Sequence, residues 1–179
     1  MCGIVGYVGK NQAPSILIDG LGKLEYRGYD SVGIAVFDGN EINIAKTKGR
    51  LSNLIKLLLE NPLSGTIGIG HTRWATHGAP SDTNSHPHIS EDHKIAVVHN
   101  GIIENYMDIK EELLKEGYHF LSETDTETIA HLIDYYYKES MDFEDSVFKA
   151  VSRLEGSYAL GIICKDSPDK LIAVRKGSP

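Results

Sequence analysis

The sequence predicts an α+β fold of layered sheets and helices. Strand-like apolar runs lie at both ends of the chain, helical apolar spacing recurs in pairs between them, and a hairpin signal joins two of the strands. A length of 179 residues suits one domain with a sizeable core.

The elements follow in order. Residues 4–8 read as a short buried strand closed by Gly9. Residues 13–25 carry Ile16, Leu17, Leu21 and Leu24 at helical spacing, with Pro14 near the first turn, where proline is tolerated. Residues 27–31 are turn-like, and strands over 32–37 and 42–47 are joined through Asp38-Gly39-Asn40. Leu51, Leu54, Ile55 and Leu58 mark a second helix. Strands over 66–70 and 94–99 then bracket a polar stretch, 71–92, read as one long loop. A loop beyond about 15 residues in a compact domain is usually functional. Ile103, Met107, Ile109, Leu113 and Leu114 mark a helix for Gly117 to cap. Thr124 and Glu127 have capping-box spacing ahead of Ile129, Leu132, Ile133 and Tyr136. A last helix over 143–154 stops at Gly156, and strands over 158–164 and 171–174 complete the pattern. Residues 175–179 follow a strand directly, where a further element would pack or pair, which suggests a fragment of something longer.

Composition narrows the function classes. A net charge of −7 argues against a nucleic-acid partner, because neutralising phosphates needs a basic surface. No apolar stretch approaches the roughly 20 residues of a membrane helix, so no membrane is expected. The N-terminus lacks the basic start and apolar core of a signal peptide. Two cysteines far apart point to free thiols in a reducing, cytoplasmic compartment.

Five segments carry chemistry. Cys2 stands directly behind the initiator methionine, and a small second residue favours methionine removal. A terminal cysteine would then hold a thiol of pKa about 8.5 beside an α-amine of about 7.7–8.0, a nucleophile with its own base. The plain alternative is a small buried residue opening a strand. Arg73, beside the single tryptophan, Trp74, can fork onto a carboxylate in two parallel bonds or make a surface salt bridge. Asn100-Gly101 is a turn dipeptide, and equally a side-chain amide and a backbone N–H able to face an oxyanion. The stretch around Arg27-Gly28-Tyr29-Asp30 combines glycine with charge. Asp125 lies in a helix first turn, where the dipole favours a carboxylate, yet residues 123–127 hold three acids and the capping box needs one. Six of the eight histidines fall between His71 and His99, including His86-Pro87-His88. They suit hydrogen bonding within the loop better than a metal, because no cysteine lies nearby to complete a ligand set.

These segments, in this order, resemble the glutaminase domain of the glutamine–fructose-6-phosphate aminotransferases, class II glutamine amidotransferases among the N-terminal-nucleophile hydrolases. The likeness runs from Cys2 to the end of the chain. It implies a four-layer α/β/β/α fold with two stacked antiparallel sheets, truncated at the C-terminus, and no cofactor or metal. It implies that Cys2 attacks the side-chain amide of L-glutamine, with Asn100 and Gly101 holding the oxyanion and Arg27 orienting the nucleophile region. Arg73 would take the α-carboxylate and Asp125 the α-ammonium, with Thr76, His77 and Gly78 lining the pocket and Trp74 acting as a gate. Ammonia would pass to an isomerase domain absent from this chain, in a parent expected to be a homodimer. The amidophosphoribosyltransferase type is the nearest alternative, favouring other residues where Tyr26-Arg27-Gly28-Tyr29 and Arg73-Trp74-Ala75 stand. A catalytically silent glutamine-binding fragment is a further one.

Overall fold

Apolar side chains at alternate positions of one strand serve two different layers in this protein. In the computed structural model, which describes residues 2–74 and 78–177 except for the side chain of Arg27, Ile34 and Val36 face a pair of helices while Ala35 between them faces a second sheet. That period of two is what lets one sheet sit in the middle of a layered fold.

The first half contains β1 (Gly3–Val8), α1 (Ala13–Leu24), a 3₁₀ turn (Glu25–Arg27), β2 (Ser31–Phe37), β3 (Ile42–Lys48), α2 (Leu51–Glu60) and β4 (Ile67–Arg73). The second contains β5 (His88–Ile89), β6 (Ile95–Ile103), α3 (Tyr106–Lys115), α4 (Asp125–Ser140), α5 (Phe143–Arg153), β7 (Gly156–Cys164) and β8 (Leu171–Lys176). The strands form two antiparallel sheets, ordered β1-β4-β2-β3 and β5-β6-β7-β8. Leu17, Leu21 and Leu54 bring α1 and α2 onto the first sheet. Ile129, Ile133 and Val147 bring α4 and α5 onto Tyr158 and Ile162 of the second. Between the sheets, Ala35, Ile67 and Ile69 meet Ala96, Val98 and Ile163. The order helix, sheet, sheet, helix is the expected four-layer α+β arrangement, and each fully buried side chain of this size contributes roughly 1.5–3 kcal/mol.

Local signals are borne out at several joints. Asp38 Oδ1 accepts from the N–H groups of Asn40 and Glu41 at 2.7 and 2.9 Å, closing the β2–β3 hairpin. Thr124 caps α4 by accepting from Glu127 N–H. After α3, Gly117 and Tyr118 donate back to Leu114 and Leu113 in a Schellman arrangement.

Four expectations need correction. The stretch 71–92 is not one loop: β4 runs on through His71, Thr72 and Arg73, paired with β1 and β2, and His88–Ile89 pairs with β6. Ile103 is not the start of a helix but the end of β6, opposite Gly156, and α3 begins only at Tyr106. Asn100-Gly101 lies within β6 opposite Ala159 and Tyr158, so it is no turn, because β7 supplies a partner for every residue there. The last helix ends at Arg153, and Gly156 opens β7 instead of capping α5. Among the described residues, no helix is long and apolar enough to cross a membrane.

Candidate active site

Cys2 lies at the mouth of β1, where the end of β4 comes alongside. Its thiol donates to the Trp74 carbonyl at 3.5 Å and accepts from the Trp74 N–H at 3.3 Å. Burial pushes the thiol pKa above its ordinary value, and the Trp74 N–H offsets only part of this. A thiol kept protonated at neutral pH needs a base to become a nucleophile. From the other sheet, Asn100 Nδ2 donates to the Cys2 carbonyl at 3.1 Å, so β6 lies directly against the cysteine. An amide has two N–H donors, and this bond uses one.

A cavity of about 380 Å³ opens here, lined by Cys2, Arg73, Trp74, His86, His99, Asn100, Gly101, Ile102, Thr124 and Asp125. Arg73 is buried and donates from Nη2 to the Gly78 carbonyl at 3.1 Å. Asp125 is buried at the first position of α4, where Oδ2 accepts from the Ile103 N–H at 3.0 Å and Oδ1 lies 3.7 Å from His99 Nδ1. A buried guanidinium and a buried carboxylate thus stand on one cavity of amino-acid size. Trp74 is half-exposed at its rim, with Tyr29 packed edge-on at 5.6 Å and the Arg50 guanidinium 5.7 Å over Tyr29. Gly28 holds its loop against β4: a Cβ there would fall 2.8 Å from the Arg73 carbonyl carbon.

The fold therefore brings together Cys2, Arg73, Trp74, Asn100, Gly101 and Asp125, and places Gly78 against Arg73. Thr76, His77, and the side chain of Arg27 lie outside the described residues. The sequence marked His86 and His99 only as part of a histidine-rich stretch and Thr124 only as a helix cap, and it gave no sign of Thr126; none of the four was expected to wall the cavity. The Thr126 hydroxyl sits between His86 Nε2 at 2.6 Å and His99 Nδ1 at 2.9 Å, and Thr124 Oγ1 meets His88 Nε2 at 3.0 Å. Burial drives the ring pKa of His71 down to about 3 and those of His86 and His88 well below the ordinary value, so these rings are neutral. Among the described residues, no three His, Cys, Asp or Glu are placed to hold a metal. The crowding of histidine in 71–99 was the available signal, and its partners are threonine hydroxyls of α4.

The family profile described as "Glutamine amidotransferase domain" matches residues 71–177, more than half of the chain. The chain belongs to this family. All 179 residues of this chain align with glutamine–fructose-6-phosphate aminotransferases (isomerizing), at 62% identity to that of Clostridium perfringens and 52% to that of Pyrococcus horikoshii. The domain spans 29% and 30% of those relatives' lengths. Among solved structures, the glutamine phosphoribosylpyrophosphate amidotransferase of B. subtilis, complexed with ADP and GMP, is 30% identical with a TM-score of 0.77. The match covers 92% of this domain and 35% of that chain. Another, described as the allosteric regulatory enzyme of purine biosynthesis, is also 30% identical, with a TM-score of 0.78, over 92% of this domain and 36% of that chain. The amidotransferase domain thus has the N-terminal-nucleophile fold expected of it.

Proposed function

We propose that this domain, residues 1–179, hydrolyses L-glutamine to glutamate and ammonia, as the ammonia-supplying part of a glutamine–fructose-6-phosphate aminotransferase. The observation that carries the reading is the single cavity on which Cys2, Asn100, Arg73 and Asp125 converge. A zwitterion needs a cation and an anion at a fixed separation, and Arg73 and Asp125 supply them for the α-carboxylate and α-ammonium of glutamine. The side-chain amide then points toward Cys2.

With Met1 removed, the Cys2 α-amine accepts the thiol proton, through water, and Sγ forms a bond to the amide carbon. The negative charge gathers on the former carbonyl oxygen, where the second N–H of Asn100 Nδ2 and the Gly101 N–H stabilise it. The tetrahedral adduct collapses by breaking the C–N bond, the amide nitrogen takes the proton, and ammonia leaves. Water then attacks the γ-glutamyl thioester, returning the thiol and releasing glutamate. Gly78, whose carbonyl holds Arg73, borders the pocket, and Trp74 gates it. No cofactor or metal takes part. The ammonia acceptor is an isomerase domain of a longer, cytoplasmic and homodimeric parent.

The phosphoribosylpyrophosphate amidotransferase fold supports a related glutaminase at 30% identity, and the 62% likeness favours the aminotransferase reading. Cys2→Ala is expected to abolish glutamate release, whereas Cys164→Ala, buried against α4, retains it. Intact mass after treatment with a glutamine-analogue electrophile should show one adduct on a chain beginning at Cys2. Turnover by the Cys2→Ala protein would overturn the reading.

A further inference from the structure

Outside the cavity, a half-buried cation is committed wholly to backbone. Lys46 sits on β3, the edge strand of the first sheet, and its ammonium donates to three carbonyls: Thr83 at 3.3 Å, Ser85 at 2.9 Å and Pro87 at 3.2 Å. An ammonium has three N–H donors, and these acceptors use all of them. They are alternate residues of one short segment, and they flank His86 on both sides. The same segment is tied again where the Lys48 N–H donates to Asp82 Oδ1 at 2.7 Å. The His86 carbonyl also lies so close to Gly33 of β2 that a Cβ there would fall 2.3 Å from it.

His86 connects this clamp to the site. Its ring lines the catalytic cavity, packs 4.2 Å from the His71 ring and shares the Thr126 hydroxyl with His99. Thr126 and His99 are the chain neighbours of Asp125 and Asn100. A shift of segment 83–87 would therefore displace the shared hydroxyl that fixes how α4 meets β6, and with it the Asp125 carboxylate.

We infer that Lys46 is a positioning residue for the glutamine pocket: its ammonium holds residues 83–87 so that His86, through Thr126 and His99, keeps Asp125 aimed at the substrate ammonium. This rests on the glutaminase reading above and deepens it. Lys46 does not touch the cavity, so its loss acts mainly on substrate binding. Burial lowers its pKa to about 8, with Glu127 of α4 and Asp82 of the clamped segment opposing that shift. The neutral ring of His88 on β5 completes its charged and titratable surroundings. The sign follows: below about pH 8 the clamp is charged and made, and above it the clamp weakens.

The test is steady-state glutaminase kinetics on the intact protein between pH 7 and 9, comparing parent, Lys46→Met and Lys46→Arg. Lys46→Met is expected to raise KM for glutamine about tenfold at pH 7, with kcat changed less than about threefold. The ratio of its KM to that of the parent should shrink toward pH 9, as the parent loses its own clamp; titration of glutamine cancels in that ratio. Lys46→Arg, which stays charged throughout, should restore KM at pH 7 and show a smaller alkaline rise than the parent. Equal KM and equal pH dependence in folded Lys46→Met and parent would overturn the inference, while an inactive Cys2→Ala protein left the glutaminase reading standing. If Lys46→Met fails to fold, a Lys46→Arg protein whose KM rises with pH as the parent's does would overturn it equally.

Discussion

At the scale of single residues, the proposed mechanism separates groups that would hold charge on the substrate from groups that would meet charge as it forms. Asp125 belongs to the first kind. Its Oδ2 also accepts from the Ile103 N–H, a bond that an asparagine carbonyl can keep. Asp125→Asn should therefore fold normally while losing the partner of the substrate ammonium. The expected outcome is a KM for glutamine raised about 10–100-fold, with a melting temperature close to the parent's. Gly101 belongs to the second kind. Its φ is 138°, a region that side chains rarely adopt, and a Cβ there would fall 2.2 Å from the Ser157 carbonyl oxygen. Gly101→Ala must move the backbone that carries the proposed oxyanion donor. The expected loss is about 10²–10³ in kcat, read in a glutamate-release assay, together with a lowered urea midpoint.

At the scale of elements, α4 and the strands facing it set the acid stability of the fold. Glu127 is buried in the first turn of α4 and accepts from the Leu121 N–H, the Ser122 N–H and the Ser122 hydroxyl at 2.9, 2.7 and 2.6 Å. Burial alone would raise its pKa, but the donors of His131, Leu121 and Ser122 prevail and hold it at about 2, against an ordinary 4.5. A depressed carboxyl stabilises the fold above its unfolded value and loses that contribution as pH falls from about 4.5 toward 2. His71, held at about 3 by burial, also unfolds with proton uptake, so its contribution is present above about 6.5 and fades as pH drops below it. Urea midpoints should thus fall from about pH 6.5 and again below 4.5. Glu127→Gln should cost on the order of 2 kcal/mol at pH 7 and remove the second fall, leaving the first. Legibility divides along the same line. Thr124 was readable as a cap because its partner is three residues away. His86 was not readable as a wall of the site, because its partner Thr126 is 40 residues distant and only the packing of α4 brings it there. The extension of β4 through His71-Thr72-Arg73 was hidden for a related reason: buried polar residues carry no apolar alternation to betray a strand.

At the scale of the molecule, the proposed catalytic pairing is a contact between sheets. Cys2 leads into the first sheet and Asn100 lies in the second, and the bond between them measures 3.1 Å. The four layers followed from the pattern of elements and the family resemblance, but this separation did not, since it is set by how the inner faces interdigitate. Ile69 is central to that layer. It lies fully buried in β4, between β1 and β2, and packs with Ala96, Val98 and Ile163 across the gap. Opposite it, Gly161 leaves no room to spare, since a Cβ there would lie 3.0 Å from Val98 Cγ2 and 3.6 Å from Ile69 Cγ2. A cavity at Ile69 would lie between the two sheets, bordered by Ala96, Val98 and Ile163, and filling it draws one sheet toward the other. Ile69→Ala is therefore expected to cost about 2–5 kcal/mol in urea unfolding, toward the upper end, and Ile69→Val about 0.5–1.5 kcal/mol. Movement of the sheets also changes the Cys2–Asn100 separation, so kcat should fall in Ile69→Ala at urea-free conditions where the protein remains folded by circular dichroism. A substitution of similar size on the helix-facing side, Ile34→Ala, removes a fully buried side chain without opening the inter-sheet layer. It should cost comparable stability and leave kcat near the parent's. Equal loss of kcat in both variants would show that the inter-sheet layer has no special hold on the nucleophile.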